Sequence, residues 1–180
     1  MHSPSDSLPS SSGVRKRLLP KEGENPTAFA GEIDIARHAV LAYTSDDPEH
    51  PIENLIDGHY GPGSTFWAGA KPNTLERIVV EFDHPQSVSW MIYEVEDCVC
   101  ARTQEVRVEV SSDGGRTYRQ VLVQEYTFSP AGATFQREVQ RLNLPPMSHL
   151  RLTIVPDKNG SGPAKLNSLR LFASESRNDT

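Results

Sequence analysis

The sequence has few of the features that mark membrane-spanning or disulfide-stabilised secreted proteins. Only two of its 180 residues are cysteines, and a single residue separates Cys98 from Cys100. On an extended segment such neighbours point to opposite faces, so we expect no disulfide between them. No apolar run approaches the roughly 20 residues that a membrane helix needs, and residues 1–12 lack the apolar core of a signal peptide. These absences favour a reduced, cytoplasmic setting and argue against a membrane partner.

Positive charge is also scarce. The formal net charge is -6 and the pI is about 5.5. The one short basic run, Arg15-Lys16-Arg17, is too small to neutralise a phosphate backbone. The composition therefore disfavours a nucleic-acid partner.

Catalytic motifs are absent as well. The sequence contains no Gly-x-Ser-x-Gly elbow, His-Glu-x-x-His, phosphate-binding glycine loop or Cys-x-x-Cys pair. Its six histidines are scattered, without a second ligand at the spacing of a metal site. Acidic neighbours such as Glu94 and Glu96 are expected to be solvated rather than to act as an acid–base pair. The protein is accordingly predicted not to be an enzyme.

Short runs rich in β-branched and aromatic residues, separated by turn residues, make up most of the chain. In Glu105–Val110 the valines share one face and the charged residues the other, which is typical of a strand with one solvated side. The predicted strands are Ala39–Tyr43, Arg77–Phe82, Val88–Val95, Glu105–Val110, Tyr118–Tyr126, Thr134–Leu142, Leu150–Val155 and Ser168–Phe172. This pattern predicts an all-β fold of two packed antiparallel sheets. Residues 1–28 are predicted to be a disordered arm, 29–174 the β-sandwich and 175–180 a C-terminal tail.

Hard oxygen donors are concentrated in the segment 48–67. Asn54, Asp57 and Thr65 flank a glycine-rich turn that ends at Trp67. Calcium takes six to eight oxygens from carboxylates, amides and carbonyls, so these three side chains are candidate ligands for a structural calcium ion. The alternative is a purely structural loop, in which Asp57-Gly58 forms an Asx-type turn and Trp67 fills the end of the sandwich.

Polar and aromatic side chains near this loop are candidates for binding a ligand. His59 and Tyr60 lie in the glycine-rich turn, and Arg102 ends the stretch from Tyr93, which is predicted to be a long connection between two strands. Alternatively, these side chains only cover the mouth of the sandwich. A separate motif, Ser111-x-Asp113-x-Gly115-x-Thr117-Tyr118, has the spacing of an Asp-box hairpin, for which a structural role is predicted.

Residues 33–173 resemble the discoidin, or coagulation factor V/VIII type C, domains of the galactose-binding-like superfamily, and are similar to family 32 carbohydrate-binding modules. The landmarks are Ala39–Ser45, Glu53–Gly58, Thr65-x-Trp67, Val106–Tyr118 and Leu166–Phe172. The resemblance implies an eight-stranded jelly roll with a calcium ion near the first long loop. The family often places a Glu on its last strand near the metal, where this chain has Asn167-Ser168. A neutral side chain there predicts weaker cation binding, because calcium affinity follows ligand charge.

Members of this family bind glycans, phospholipid headgroups or proteins through variable loops, so the fold does not fix the ligand. We therefore expect a non-catalytic binding module that recognises a glycan or a similar ligand through loops at one end of the sandwich. The alternative is a cytosolic interaction or scaffold subunit whose partner is a protein.

Overall fold

A computed structural model describes residues 31–158 and 161–173. The predicted arm 1–28 and tail 175–180 lie outside these residues. Within the described ranges the chain forms one short helix, α1 (Ile35–His38), a 3₁₀ helix (Ile52–Ile56) and eight strands. The strands are β1 (Ala39–Tyr43), β2 (Trp67–Ala68), β3 (Glu76–Glu96), β4 (Arg102–Ser111), β5 (Arg119–Phe128), β6 (Phe135–Val155), β7 (Lys165–Leu166) and β8 (Ser168–Ala173).

Two long strands, β3 and β6, each run through both layers of the fold. The first half of β3 pairs with β1 and with the second half of β6, which also pairs with β4. The second half of β3 pairs with β8 and with the first half of β6. The result is a five-stranded layer in the order β1-β3-β6-β4-β5 and a three-stranded layer in which β3 lies between β8 and β6. All of these pairs are antiparallel, as are β2 and β7.

Irregular pairing marks the point where the long strands cross from one layer to the other. The register of β3 against β6 shifts between Glu81 and Gln86 and again around Val88. Prolines occupy both crossing segments, at Pro85 in β3 and at Pro145 and Pro146 in β6. Because proline has no amide hydrogen to donate, it interrupts the ladder and favours a bend or bulge.

The core lies between the inner faces of the two layers. Alternate residues of the long strands are fully buried, as the period of two in a half-buried strand requires. In the five-stranded layer these include Ile78, Val80 and Val108, and in the three-stranded layer Met91 and Leu171, all 0% exposed. Trp67 is also fully buried and donates its indole N–H to the carbonyl of Ser45 at 3.2 Å. It therefore fills the end of the sandwich below the glycine-rich loop.

The predicted β-sandwich is confirmed, with differences in how the strands join. The two predicted segments Arg77–Phe82 and Val88–Val95 are halves of β3, because the ladder resumes after the bend. The predicted connection from Tyr93 to Arg102 is shorter than expected, since β3 continues to Glu96 and β4 begins at Arg102. Cys98 and Cys100 lie in the remaining five-residue turn, and both are free thiols. Within residues 31–158 and 161–173, no helix has the length and apolar character needed to cross a bilayer.

The hairpin between β4 and β5 has the expected Asp-box arrangement. Asp113 accepts hydrogen bonds from the hydroxyls of Ser111 and Thr117 at 2.7 and 2.6 Å and from the amides of Arg116 and Thr117 at 3.1 and 3.0 Å. The Thr117 hydroxyl is the largest of the contributions that lower the pKa of Asp113 well below its ordinary value. Gly114 and Gly115 have φ of 74° and 81°, the left-handed region that glycine adopts readily. The side chain of Asp113 thus hydrogen-bonds to other residues of the same turn and stabilises the hairpin.

Candidate ligand-binding site

The glycine-rich loop is folded back on itself and held against the end of β3. Gly58, Gly61 and Gly63 have φ of 84°, 86° and 77°, so each reversal of the loop falls on a residue without a Cβ. The amide of Gly61 donates to Glu94 Oε2 and the amide of Gly63 to Glu96 Oε2, both at 2.8 Å. Two carboxylates of β3 thus fix the path of the loop.

Asp57 and Thr65, two of the predicted metal ligands, lie together at the base of this loop. The Thr65 hydroxyl donates to Asp57 Oδ2 at 2.5 Å, and the amide of His59 donates to Asp57 Oδ1 at 2.9 Å. Burial raises the pKa of Asp57, but these hydrogen bonds outweigh it and leave the pKa below its ordinary value. His59 Nδ1 lies 3.2 Å from Asp57 Oδ2. The Asp57 carboxylate is therefore favoured in its charged form, as a metal ligand must be.

Asn54, the third predicted ligand, faces the same segment through its amide group. Its Nδ2 donates to the carbonyl of Phe66 at 2.9 Å, next to Thr65. The donor types around Asp57 suit calcium, because they are oxygens of a carboxylate, a hydroxyl and an amide. Among the described residues, however, no group of three or more His, Cys, Asp or Glu side chains could hold a metal ion. A calcium ion at this position would have one carboxylate, that of Asp57, and otherwise neutral oxygens of Thr65, Asn54 and the main chain.

Tyr60 stands at the tip of the loop with its ring partly exposed. The residue is 42% exposed, and the guanidinium of Arg170, on β8, stacks over its ring at 4.5 Å from the centroid. Arg170 is held in turn by Glu32 through two hydrogen bonds of 2.8 and 2.6 Å. Burial raises the pKa of the Tyr60 phenol, although Arg170 opposes this. At neutral pH the phenol therefore keeps its proton and presents a hydroxyl donor beside a fixed aromatic ring.

A cleft of about 320 Å³ opens beside Tyr60. Its floor is apolar and its rim carries the acidic side chains of Glu32 and Asp34. The apolar lining residues are Ile33, Ile35, Ala36, Ile56 and Leu169. An aromatic ring, two carboxylates and an apolar floor form the mixed surface that small polar ligands require.

Arg102 does not lie at this cleft, which corrects the expectation that it lines an accessible ligand site. Its side chain is only 1% exposed, and Nε lies 2.8 Å from Asp97 Oδ2 in an ion pair that is not aligned as a hydrogen bond. Nη1 donates to the carbonyls of Pro156, at 3.3 Å, and Pro163. Arg102 therefore joins the connection after β3 to the segment before β7, inside the protein. His59, in contrast, has a side chain that is 70% exposed.

Glu94 is the important residue that the sequence did not single out. It was expected on a solvated face, but it is 2% exposed. Its Oε1 pairs with Arg137 at 2.6 Å, and its Oε2 accepts from Gly61 and from the Ser168 hydroxyl, the latter at 3.1 Å. The outward side of β3 at this point is covered by the loop itself, which explains the burial. No local sequence pattern reports such a contact between residues 33 apart.

Asn167, the residue between β7 and β8, also contacts the loop. Its Oδ1 accepts from the amide of Glu96 at 2.8 Å, and its Nδ2 donates to Ser64 Oγ at 3.3 Å. The position where the family often has a Glu is thus occupied by an amide that hydrogen-bonds the loop directly. It adds no charge for a cation.

The two stacked layers joined by bent strands form a jelly-roll β-sandwich, with the glycine-rich loop at one end. The chain belongs to the F5/8 type C domain family, whose pattern it matches over residues 40–168. No curated protein sequence matches it significantly.

Solved structures of family 32 modules share the fold. CBM32-3 from a family 31 glycoside hydrolase of Clostridium perfringens has a TM-score of 0.61 and 18% identity, over 82% of this chain and 97% of that one. The family 32 module of C. perfringens NanJ, in complex with galactose, gives 0.56 and 14%, over 79% and 98%. CpGH89CBM32-5, from the same organism and in complex with GalNAc-β-1,3-galactose, gives 0.57 and 17%, over 79% and 100%. At these identities the likeness establishes the architecture.

Proposed function

We propose that this protein is a non-catalytic module that binds a glycan in the cleft beside Tyr60. The observation that carries the proposal is the half-exposed Tyr60 ring, held by Arg170 next to the carboxylates of Glu32 and Asp34. A sugar ring can pack its C–H face on the phenol while its hydroxyls donate to the carboxylates. Both contacts are non-covalent and leave the side chains chemically unchanged, so the arrangement suits binding.

The rigidity of the loop supports the same function. Binding costs free energy when side chains or loops must be ordered, and a preformed site avoids that cost. Here Gly61, which follows Tyr60, is fixed by Glu94, and the Tyr60 ring is fixed by Arg170. The structural relatives in complex with galactose and GalNAc-β-1,3-galactose favour a galactose-type sugar as the first ligand to test.

A structural calcium ion belongs to this proposal. Asp57, Thr65 and Asn54 would hold it with nearby carbonyls, and it would stiffen the base of the loop that carries Tyr60. With one carboxylate in the set, we expect weak affinity, in the range of about 10⁻⁴–10⁻³ M that is typical of extracellular modules.

The decisive experiment compares two tyrosines of similar exposure. Tyr60 and Tyr43 are 42% and 44% exposed, but only Tyr60 lines the cleft. We would titrate the protein with galactose and with GalNAc-β-1,3-galactose by NMR and by calorimetry. Tyr60→Ala should weaken binding by about tenfold, because losing about 60 Å² of apolar contact at about 25 cal/mol per Å² costs about 1.5 kcal/mol, and Tyr43→Ala should leave it unchanged.

Two results would overturn the glycan assignment. One is a lack of response to either sugar at millimolar concentration while the spectrum shows a folded protein. The other is an equal loss of binding in both tyrosine variants, which would place the sugar elsewhere.

A protein partner at the edge strand β1 is the second candidate function. Among residues 31–158 and 161–173, β1 pairs only with β3, and its Val40 is 56% exposed. An unpaired edge with an exposed apolar side chain can accept a strand from another protein. Capture of a partner from the native source that is lost in Val40→Lys but kept in Tyr60→Ala would establish this function; equal capture by both variants would exclude the edge.

A further inference from the structure

Glu76, the first residue of β3, holds a buried carboxylate next to the end of β1. The residue is 2% exposed, and its two oxygens accept hydrogen bonds from neighbouring hydroxyls. Ser45 Oγ donates to Oε1 at 2.6 Å, and Thr44 Oγ1 donates to Oε2. Each hydroxyl accepts a main-chain N–H in turn, Ser45 from Ala70 and Thr44 from Arg77, both at 3.0 Å. Each carboxylate oxygen is thus linked to a main-chain amide by a chain of two hydrogen bonds through a hydroxyl.

Among the residues that the structure describes, the partners of this carboxylate are neutral, whereas those of Glu94 and Asp97 are charged. Glu94 and Asp97, which are 2% and 4% exposed, pair with Arg137 and Arg102. Within the described part of the chain, Glu76 forms no ion pair, and its hydrogen-bond donors are the two hydroxyls. A buried charge is costly unless a counter-charge compensates it. The arrangement therefore favours a cation brought from outside.

Glu76 is one of the residues that line a cavity of about 240 Å³. Its walls combine the hydroxyls of Thr44, Ser45 and Thr74 with the apolar side chains of Ala70 and Leu75. This space is several times larger than the about 30 Å³ that one water occupies in the liquid, so a bare metal ion would not fill it. Calcium would also need six to eight oxygen ligands. An ammonium group on a short carbon stem matches both the charge and the apolar walls.

We propose that this cavity binds a primary ammonium group, with Glu76 as the counter-ion. The Thr44 and Ser45 hydroxyls would orient the carboxylate, while Ala70 and Leu75 contact the carbon stem. A lysine side chain of another protein and an amino sugar share this chemistry. The site is separate from the Tyr60 cleft and does not depend on its function, since no residue lines both.

Lys71, which also lines the cavity, should affect ammonium binding in the opposite direction from Glu76. It is an exposed side chain that lines the cavity, so its positive charge opposes an incoming cation. Removing it should strengthen ammonium binding, by about threefold if the two charges lie about 7 Å apart in water. A purely structural Glu76 would predict no such gain.

The experiment is an NMR titration of the full chain with n-butylammonium chloride at pH 7, following the amides of Ala70, Lys71 and Thr74. n-Butanol, which has the same stem without the charge, is the ligand control. Glu76→Gln should weaken butylammonium binding by about tenfold or more, because a charge-assisted hydrogen bond is replaced by a neutral one. Glu81→Gln, on the same strand about 16 Å away, removes the same charge and should leave binding unchanged.

Parallel titrations with N-acetyl-lysine amide and with glucosamine distinguish a protein lysine from an amino sugar as the natural source. The proposal is overturned if butanol shifts the same amides as strongly as butylammonium, or if folded Glu76→Gln binds like the wild type. If Glu76→Gln does not fold, Lys71→Gln decides: a gain in affinity supports the site and no gain refutes it. Failure here leaves the sugar titrations of Tyr60→Ala unaffected, so the two proposals are tested separately.

Discussion

Replacing Glu94 with alanine should destabilise the protein more than any neighbouring surface change. The variant removes the ion pair with Arg137 and the acceptor for Gly61 and Ser168. Breaking a buried pair from one side costs about 3–5 kcal/mol. The Arg137 side chain is 30% exposed, so water recovers part of that loss. We therefore expect Glu94→Ala to lower the free energy of unfolding by about 2–4 kcal/mol, a large share of the about 5–15 kcal/mol that holds a domain folded.

Glu96 provides the matched control. It lies two residues further along β3 and accepts the amide of Gly63 and, weakly at 3.6 Å, the thiol of Cys98, both in exposed positions. Glu96→Ala should cost about 1 kcal/mol or less, the net value of one such hydrogen bond. The assay is urea unfolding at pH 7 followed by the fluorescence of Trp67 and Trp90, with sugar titrations on the folded variants. Because Glu94 fixes Gly61 beside Tyr60, Glu94→Ala should also weaken glycan binding.

The reasoning fails if the two variants lose similar stability, or if Glu94→Ala loses less than about 0.5 kcal/mol, which is within the usual effect of a surface substitution. In either case the loop would not depend on the buried carboxylate, and its conformation would need another cause.

Further predictions concern the calcium ligands, the Asp-box hairpin and a close packing contact. Millimolar calcium should raise the melting temperature relative to chelator, and Asp57→Ala should abolish that shift; identical melting curves in calcium and chelator would rule out binding at Asp57. Asp113→Asn should be less stable than the wild type at pH 7. Because folding lowers the pKa of Asp113 from 3.8, the Asp113 carboxylate stabilises the protein above that pH, and this stabilisation is lost as pH falls through the folded-state pKa. The difference in unfolding free energy between the wild type and Asp113→Asn should therefore narrow below about pH 3.8. A difference that stays constant in acid would contradict this. Gly69→Ala should cost about 1–3 kcal/mol through overpacking, because its Cβ would lie 2.9 Å from Cγ and Oε1 of Glu76; an unchanged urea midpoint would show that Glu76 can move aside.

The strands could be predicted from sequence because alternation is a local property. Val106 and Val108 alternate with charged residues, and the structure buries both valines completely. What alternation does not report is whether two adjacent strands are one bent strand. Thus the two predicted segments on either side of Pro85 are continuous in β3. The Asp box was also predictable, since its hydrogen bonds join residues at most four apart.

The candidate site depends on contacts between distant residues, and these were harder to predict. Tyr60 and Asp57 were proposed from the sequence because they lie in one conspicuous loop, and their roles stay predictions. Glu94 was missed because its burial results from the loop folding over β3, and Arg102 was placed at the surface although it pairs with Asp97 inside. A charged residue in a single sequence carries no sign of whether a counter-ion from elsewhere in the chain reaches it.

The continuity of β3 and β6 through both layers limits how this domain can respond to a ligand. Moving the two layers apart would break hydrogen bonds along β3 and β6, because each of these strands belongs to both layers. Such a motion costs far more than the displacement of a surface turn. Any adjustment to different sugars or partners must therefore come from the loops between the strands. The two layers keep their relative position, so a change in the loops at one end of the sandwich has little effect at the other end.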